Sequence, residues 1–466
     1  MKTKPVKIVA TIGPATSTED KIYELARVGV DVFRINFSHA AEEDVKELTS
    51  WVRNAEKKLQ RPLAIMLDLP GPKIRISMMK PDVVLKKGEK FTIAKDVRLG
   101  DAEKCGLNRP EIIDILEPGS SVYIDEGAIK LHITAKTENS LETTVVIGGP
   151  LLSKKGFSAE GIFLAGSGIT DRDKVGIQLA VEHKVDAIAI SFVQSEEDIN
   201  EVKKLLPDNT NVMIVAKIET EEGVKNAENI LQVVDCLMVA RGDLGLAVPL
   251  AEVPYIQKEL IELCVKKKKP VITATQMLES MIFKPVPTRA EVADVANAIL
   301  DYTDAVMLSA ETASGKYPIE AVETMVKIIH ESVKHVKPFF FEEKDTISNA
   351  TSSSVGIIAD QIGAKLIIAF TESGLTARRI ARHRHKQAII AVSPDPSTIR
   401  RLNFTWGVHP QMIEETKDFE DMLRQSRELA KNNPVEPLIQ GDLYVISAGM
   451  PFGETGTTNM ILVQKV

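Results

Sequence analysis

Val212-Met213-Ile214-Val215-Ala216-Lys217-Ile218-Glu219 and Cys236-Leu237-Met238-Val239-Ala240-Arg241-Gly242-Asp243 are two nearly continuous apolar runs, each ending in charge. Strands written this way are buried on both faces, as in a parallel sheet covered by helices. Runs of the same form recur at Val6–Ile12, Asp31–Phe37, Leu63–Leu67, Ala187–Phe192, Val271–Ala274 and Ala305–Leu308, which with Val212–Lys217 and Cys236–Ala240 makes eight. Amphipathic stretches such as Asp20–Arg27, Glu42–Lys58, Glu196–Leu206 and Arg289–Leu300 separate most of them, with apolar positions at helical spacing. Strand and helix alternate, which implies parallel pairing, and eight units favour a closed (β/α)8 barrel over a doubly wound sheet. Arg34-Ile35-Asn36, Asp68, Ser191, Lys217-Ile218-Glu219, Arg241-Gly242-Asp243, Thr275-Gln276 and Ser309-Ala310-Glu311 fall where a strand gives way to its loop. Barrel enzymes carry their chemistry at that end.

The rhythm breaks once. About a hundred residues separate Asp68 from the helix expected near Thr170, where a βα loop needs roughly two to six. Inside this gap Val83–Ala94 and Ser121–Val146 alternate apolar and polar residues, the period of antiparallel strands. An inserted β-barrel lid above the barrel mouth is expected. After Pro338 the alternation restarts with Thr351–Gly363, Leu366–Thr371, Thr376–Arg382, Ala388–Val392, Asp418–Ala430, Leu443–Ser447 and Met460–Gln464, an open α/β domain. The expected division is 1–72 with 165–337 for the barrel, 73–164 for the lid and 338–466 for the third domain.

Composition agrees with a large globular chain: 466 residues, 44% hydrophobic and 26% charged. A net charge of −7 gives no global attraction to nucleic acid or anionic lipid, so a bound anion must meet a local basic site. Met1-Lys2-Thr3-Lys4 leads into no signal-type apolar region and no run is long enough to span a membrane, so the cytoplasm is the expected compartment. Cys105, Cys236 and Cys264 are too far apart for a disulfide framework or zinc site. Lys266–Lys269, just before Pro270, opposes the negative end of a helix and reads as a solvated cap. His383 and His385, two apart among arginines, are placed on opposite sides of a helix and make a poor metal pair. No P-loop or dinucleotide-binding glycine pattern occurs in a strand-to-helix context.

Arg34-Ile35-Asn36-Phe37-Ser38-His39, Asp68-Leu69-Pro70-Gly71-Pro72-Lys73-Ile74-Arg75, Ser153-Lys154-Lys155-Gly156, Lys217-Ile218-Glu219, Arg241-Gly242-Asp243-Leu244-Gly245, Thr275-Gln276-Met277-Leu278-Glu279-Ser280, Pro287-Thr288-Arg289-Ala290-Glu291 and Leu308-Ser309-Ala310-Glu311-Thr312 are motifs spread along the whole chain. Together they resemble those of the pyruvate kinases. The resemblance implies phosphoryl transfer from phosphoenolpyruvate to ADP, giving pyruvate and ATP. It assigns Glu219 and Asp243 a divalent ion, and two hard oxygen ligands suit magnesium, with manganese as the alternative. Lys217 projects on the same side as Glu219 and by resemblance contacts the phosphoryl group in flight. Arg34 matches the arginine that grips the substrate phosphate, a task for a guanidinium fork. Gly242 and Asp243, opening a helix, with Thr275, are expected to receive the substrate carboxylate. Thr275 and Ser309 lie near the enolate carbon by analogy, with a water chain ending on them or on Glu311 as proton source. Asn36, His39, Arg75 and Lys155 are the implied nucleotide contacts.

The sequence departs from the family at its monovalent-cation site. The region of Asn36, Ser38, Asp68 and Leu69 carries Lys73 where many relatives have glutamate, and family members with lysine there need no potassium. Lys73 is therefore expected to supply the missing cation, with potassium not required. The lid return, Gly156-Phe157-Ser158-Ala159-Glu160-Gly161-Ile162-Phe163-Leu164, lacks the asparagine and prolines usual in relatives. In the third domain Thr371, Ser373, Gly374 and Thr376 resemble the family's effector phosphate loop. The last loop, Ala448-Gly449-Met450-Pro451, lacks the tryptophan and arginine some relatives use for fructose bisphosphate, so another phosphorylated effector, or none, is expected. A homotetramer follows by resemblance alone. The rival readings are a metal-dependent lyase of a pyruvate enolate and a noncatalytic phosphometabolite sensor.

Overall fold

The computed structural model describes residues 4–125, 127–159, 168–208, 210–339, 346–451 and 457–466. Glu160–Leu164 of the lid return and the starting Met1-Lys2-Thr3 lie outside them. Eight strands close into a parallel barrel: β1 (Lys7–Ile12), β2 (Val32–Asn36), β3 (Ala64–Asp68), β4 (Ala187–Ile190), β5 (Met213–Ile218), β6 (Cys236–Ala240), β7 (Val271–Ala274) and β8 (Ala305–Leu308). Their order around the ring is the chain order. All eight strands are buried along nearly their whole length, which is why they are legible as unbroken apolar runs.

Side chains from alternate positions fill the interior, among them Val9, Met66, Val215, Met238 and Met307. Phe404 of the third domain joins the same cluster and is fully buried, so the far end of the barrel is plugged by its neighbour. The outer helices begin where threonine and an acid three residues on form reciprocal caps, at Thr170 with Asp173 and at Thr288 with Glu291.

The insertion has its own core, including Phe91, Ile93, Leu131, Leu141 and Val145. Its strands carry the apolar–polar alternation expected of antiparallel β structure. Among the described residues they make a six-stranded sheet, with two two-stranded ladders beside it, Met78–Met79 with Leu99–Gly100 and Val84–Leu85 with Gly149–Pro150. The ladders stop after two residues each, and one of them runs into a proline that lacks the N–H a longer ladder needs.

The third domain is an open five-stranded sheet: β9 (Leu366–Phe370), β10 (Ala388–Ser393), β11 (Val408–Met412), β12 (Leu443–Gly449) and β13 (Thr458–Lys465), in the order β11-β10-β9-β12-β13 with only β13 antiparallel. Sequence reading misses β11, because Pro410 interrupts it, and prolines in sheets belong to edges, where β11 lies. His383 and His385 are not on a helix as expected. They follow the helix Leu375–Ala381 in a turn, both buried, with ring centroids 5.8 Å apart.

Buried charge joins this domain to the barrel. Arg384 Nη2 donates to Asp304 Oδ2 at 2.9 Å and the Trp406 amide to Asp304 Oδ1 at 2.9 Å, immediately before β8. Near β1, Asp31 accepts from Lys4, from the Ile8 amide at 2.8 Å and from Arg61 at 3.1 Å, while Lys7 donates to the Val408 carbonyl. Burial pushes the Asp31 carboxyl up, but Lys4, Lys7 and Arg61 outweigh it and bring it from 3.8 to about 2. A depressed carboxyl stabilises the fold above its unfolded pKa and loses that contribution as pH falls through the folded one. Asp31→Asn is accordingly expected to cost about 2 kcal/mol at pH 7. Urea unfolding of both forms should show the gap narrowing as the pH falls from neutral toward about 2.

Candidate active site

The C-terminal ends of the strands open into a cavity of 1070 Å³. Arg34 (β2), Asp68 (β3), Lys217 (β5) and Thr275 after β7 line it, as do Glu219, Asp243 and Ser309. Asn36, Ser38, His39, Leu69 and Lys73 line the same space. A second cavity of 370 Å³ lies under the lid and shares His39, Lys73, Glu219 and Asp243 with the first, adding Arg75 and Lys155. Residues separated by up to 275 positions, from Arg34 to Ser309, therefore face one continuous cleft.

At its floor is a chain of alternating charges. Arg34 Nε and Nη2 both reach Asp68 Oδ2 at 2.6 Å, and Nη1 donates to Thr11 Oγ1 at 3.0 Å. Lys217 Nζ lies 3.1 Å from Asp68 Oδ1, 3.0 Å from Glu219 Oε1 and 2.7 Å from Ser191 Oγ. Glu219 Oε2 accepts from the Phe192 amide at 2.7 Å. Burial raises Asp68, but Arg34 and Lys217 outweigh it and hold the carboxyl below its ordinary range. Burial lowers Lys217, yet Asp68 and Glu219 bring it above the usual lysine range, so its charge is secure. Glu219 is pushed up by burial, with Lys217 opposing and Asp243 adding to the rise.

Glu219 and Asp243 thus repel each other across the cleft. Two hard oxygen donors in that state fit a divalent cation, which would reverse the repulsion. Among the described residues no group of three or more histidine, cysteine or carboxylate side chains is placed to hold a metal ion.

Several expectations are corrected in detail. Lys73 is paired with Asp243, Nζ to Oδ1 at 3.8 Å, and not with Asp68, whose oxygens are held by Arg34 and Lys217. The Gly242 amide does not point free at a substrate; it donates to Thr275 Oγ1 at 2.8 Å. Glu311 is turned away from the cavity, its oxygens accepting the amides of Leu278 at 3.0 Å and Ser309 at 2.7 Å. Ser309 precedes the short helix Ala310–Ala313 but makes no side-chain cap; among the described residues its buried Oγ has no hydrogen-bond partner.

Arg75 Nη1 donates to the Lys154 carbonyl at 3.0 Å, and Lys155 pairs with Asp125 at 2.9 Å, so both basic groups hang from the lid side of the cleft. Asn36 Oδ1 accepts the Ser38 amide at 3.1 Å, which curls the loop bearing His39. Thr371, Ser373 and Gly374 join β9 to the helix Leu375–Ala381 outside the cleft, and Thr376 in the first turn of that helix shares a 2.7 Å hydroxyl bond with Thr458. Sequence reading gives no role to Thr11, Ser191 or Arg241. The signal for Thr11 is one hydroxyl inside an otherwise apolar strand.

Fold and site define a (β/α)8-barrel phosphotransferase with a lidded anion cleft. The pyruvate kinase barrel domain family matches residues 3–322, and the pyruvate kinase alpha/beta domain family matches residues 349–464. A pyruvate kinase of Geobacillus stearothermophilus is 42% identical over 477 residues, covering 100% of this chain and 81% of its own. Another from Methylorubrum extorquens is 39% identical over 472 residues, covering 100% and 98%, and one from Staphylococcus saprophyticus is 40% identical over 474, covering 99% and 80%. The chain belongs to the pyruvate kinase family.

Proposed function

We propose that this enzyme transfers the phosphoryl group of phosphoenolpyruvate to ADP in a magnesium-dependent reaction that needs no potassium. The observation that carries the reading is the buried run Arg34–Asp68–Lys217–Glu219 ending beside Asp243. Arg34, fixed by Asp68 and Thr11, presents its remaining N–H groups to a phosphate. Lys217, kept charged by two carboxylates, sits where the equatorial oxygens of the moving phosphoryl group gain charge. Glu219 and Asp243 would hold a divalent ion, magnesium or manganese, which when bound would neutralise substrate oxygens as a Lewis acid.

The bond from phosphorus to the enol oxygen breaks as one forms to the terminal oxygen of ADP. The methylene carbon then gains a proton. Free hydroxyls and single waters are equally weak acids, so the proton comes from solvent through a water chain that ends on Ser309 Oγ and Thr275, with Glu311 already committed to two amides. The substrate carboxylate is assigned to the rim at Asp243 and Thr275, with Gly242 bonded behind Thr275, and the diphosphate to Asn36, His39, Arg75 and Lys155. Equimolar pyruvate and ATP, formed only with magnesium present, is the expected product analysis. Pyruvate without ADP consumption would contradict it.

Lys73 replaces the monovalent cation by placing its ammonium beside Asp243. A unit charge at about 4 Å and an effective dielectric near 20 is worth about 4 kcal/mol. Lys73 and Asp243 side chains are 36% and 29% exposed, however, so screening reduces this to ~1–2 kcal/mol. Lys73→Met is expected to lower turnover by about five- to thirtyfold, measured as kcat in potassium-free buffer.

The same reading includes the division into barrel (1–72 with 165–337), lid (73–164) and third domain (338–466), and a phosphorylated effector at Thr371, Ser373, Gly374 and Thr376. It also includes a homotetramer, in keeping with exposed Leu250, Tyr255, Phe283 and Val286. The cytoplasm, where its substrates are made and used, is the compartment it implies. No helix among the described residues is long and apolar enough to cross a membrane.

A further inference from the structure

Thr275 and Gln276 follow β7 with φ of +67° and +55°. Left-handed backbone is uncommon for any side chain and a true outlier for a β-branched one. Such strain persists only where surroundings over-determine it. What surrounds it is Arg241, the first residue after β6. Its Nη2 donates to the Thr275 carbonyl at 2.6 Å and the Gln276 carbonyl at 3.3 Å, and its Nε reaches the Ala274 carbonyl at 3.4 Å.

Three consecutive carbonyls therefore converge on one guanidinium, a geometry that a rigid fork meets and an ammonium does not. The opposite side of the fork is anchored on the barrel's outer helices: Nη1 donates to Asp294 at 2.8 Å, on Arg289–Leu300, and to Gln257 at 3.3 Å, on Val253–Lys266. The Arg241 side chain is only 9% exposed. On the cavity side the loop is tied a second time, by the Gly242 amide on Thr275 Oγ1, and that hydroxyl also donates to the Ala274 carbonyl at 2.7 Å.

We infer that Arg241, backed by Asp294, is a positioning residue that holds Thr275 in its strained turn so that the hydroxyl faces the enolate. The inference rests on the role proposed above for Thr275. Arg241 touches no substrate; it acts through the curvature of residues 274–276. Small displacements of reacting groups cost up to about a hundredfold in rate, so a loss of that order in kcat is expected for Arg241→Ala, with a raised KM for phosphoenolpyruvate, whose carboxylate Thr275 also receives, and the half-saturating magnesium concentration nearly unchanged.

The test is a double-mutant cycle on the intact enzyme, assayed by pyruvate formation with melting temperatures as controls. Arg241→Ala and Thr275→Ala combined should be no worse than the poorer single variant, and added guanidinium ion should restore part of the kcat of Arg241→Ala. Asp294→Asn, which keeps the arginine and loosens its anchor, should show a smaller loss, also masked by Thr275→Ala. Losses that multiply, or Arg241→Ala turning over like the parent, would overturn the inference. So would a loss confined to Arg241→Ala with Thr275→Ala silent, and this pattern would also remove the proposed role of Thr275. An inactive parent would instead contradict the assigned reaction.

Discussion

Lys217→Met is expected to lower kcat for pyruvate formation by about a thousandfold. The reason is the position of the ammonium: 3.0 and 3.1 Å from Glu219 and Asp68, enclosed, and kept protonated by both. A charge meeting a phosphoryl oxygen at about 4 Å in such a site is worth about 4 kcal/mol, and a thousandfold is about that much off the barrier. Unlike Lys73, Lys217 has a side chain only 11% exposed, so little screening applies. The substitution also strands the buried Glu219 carboxylate and leaves Asp68 with Arg34 alone, so the melting temperature should fall, most at neutral pH and least in acid, where the carboxylates can take up protons. Steady-state kcat, with unfolding followed separately, distinguishes lost chemistry from lost fold. An intact kcat with a lowered melting temperature would make the ammonium a structural counter-ion.

Glu219→Gln should be comparably severe and fail differently. Glutamine is nearly isosteric, and burial already raises the Glu219 carboxyl, so the fold should tolerate a neutral group. What disappears is one of two anionic donors facing the cleft. Removing it should raise the magnesium needed for half-maximal activity by at least about tenfold and lower kcat by about a hundredfold or more at saturating metal. Magnesium titrations of both forms check this. Asp243 stays beside Lys73 in the variant, so the residual activity reports how far one carboxylate can hold the metal.

The barrel is legible in the sequence because its strands are covered on both sides. Cys236–Ala240, Val271–Ala274 and Ala305–Leu308 begin and end where the apolar runs do. A strand end also fixes where the following polar residue stands, so Arg34, Lys217, Glu219, Thr275 and Ser309 are found together as expected. Side-chain direction beyond the strand end is another matter. Lys73 lies in a loop shaped by Gly71 at φ +64°, whose amide bonds Asp173 at 3.0 Å, and neither its sequence position nor its charge shows that it reaches Asp243 rather than Asp68. Arg241 is visible as a residue but not as a fork across three carbonyls at the end of the neighbouring strand and in the turn after it, a contact that no periodicity encodes. The edge strand β11 is hidden by Pro410. The orphaned hydroxyl of Ser309 is a fact of burial, readable only once Glu311 is seen to turn inward.

Turnover of phosphoenolpyruvate and ADP with magnesium, first in tetramethylammonium as the only added monovalent cation and then in potassium, tests the central claim most directly. The account predicts equal rates of pyruvate and ATP formation in both, with Lys73 as the internal cation beside Asp243. Turnover that appears only with potassium would contradict the role of Lys73, and no turnover in either would contradict the assigned chemistry itself.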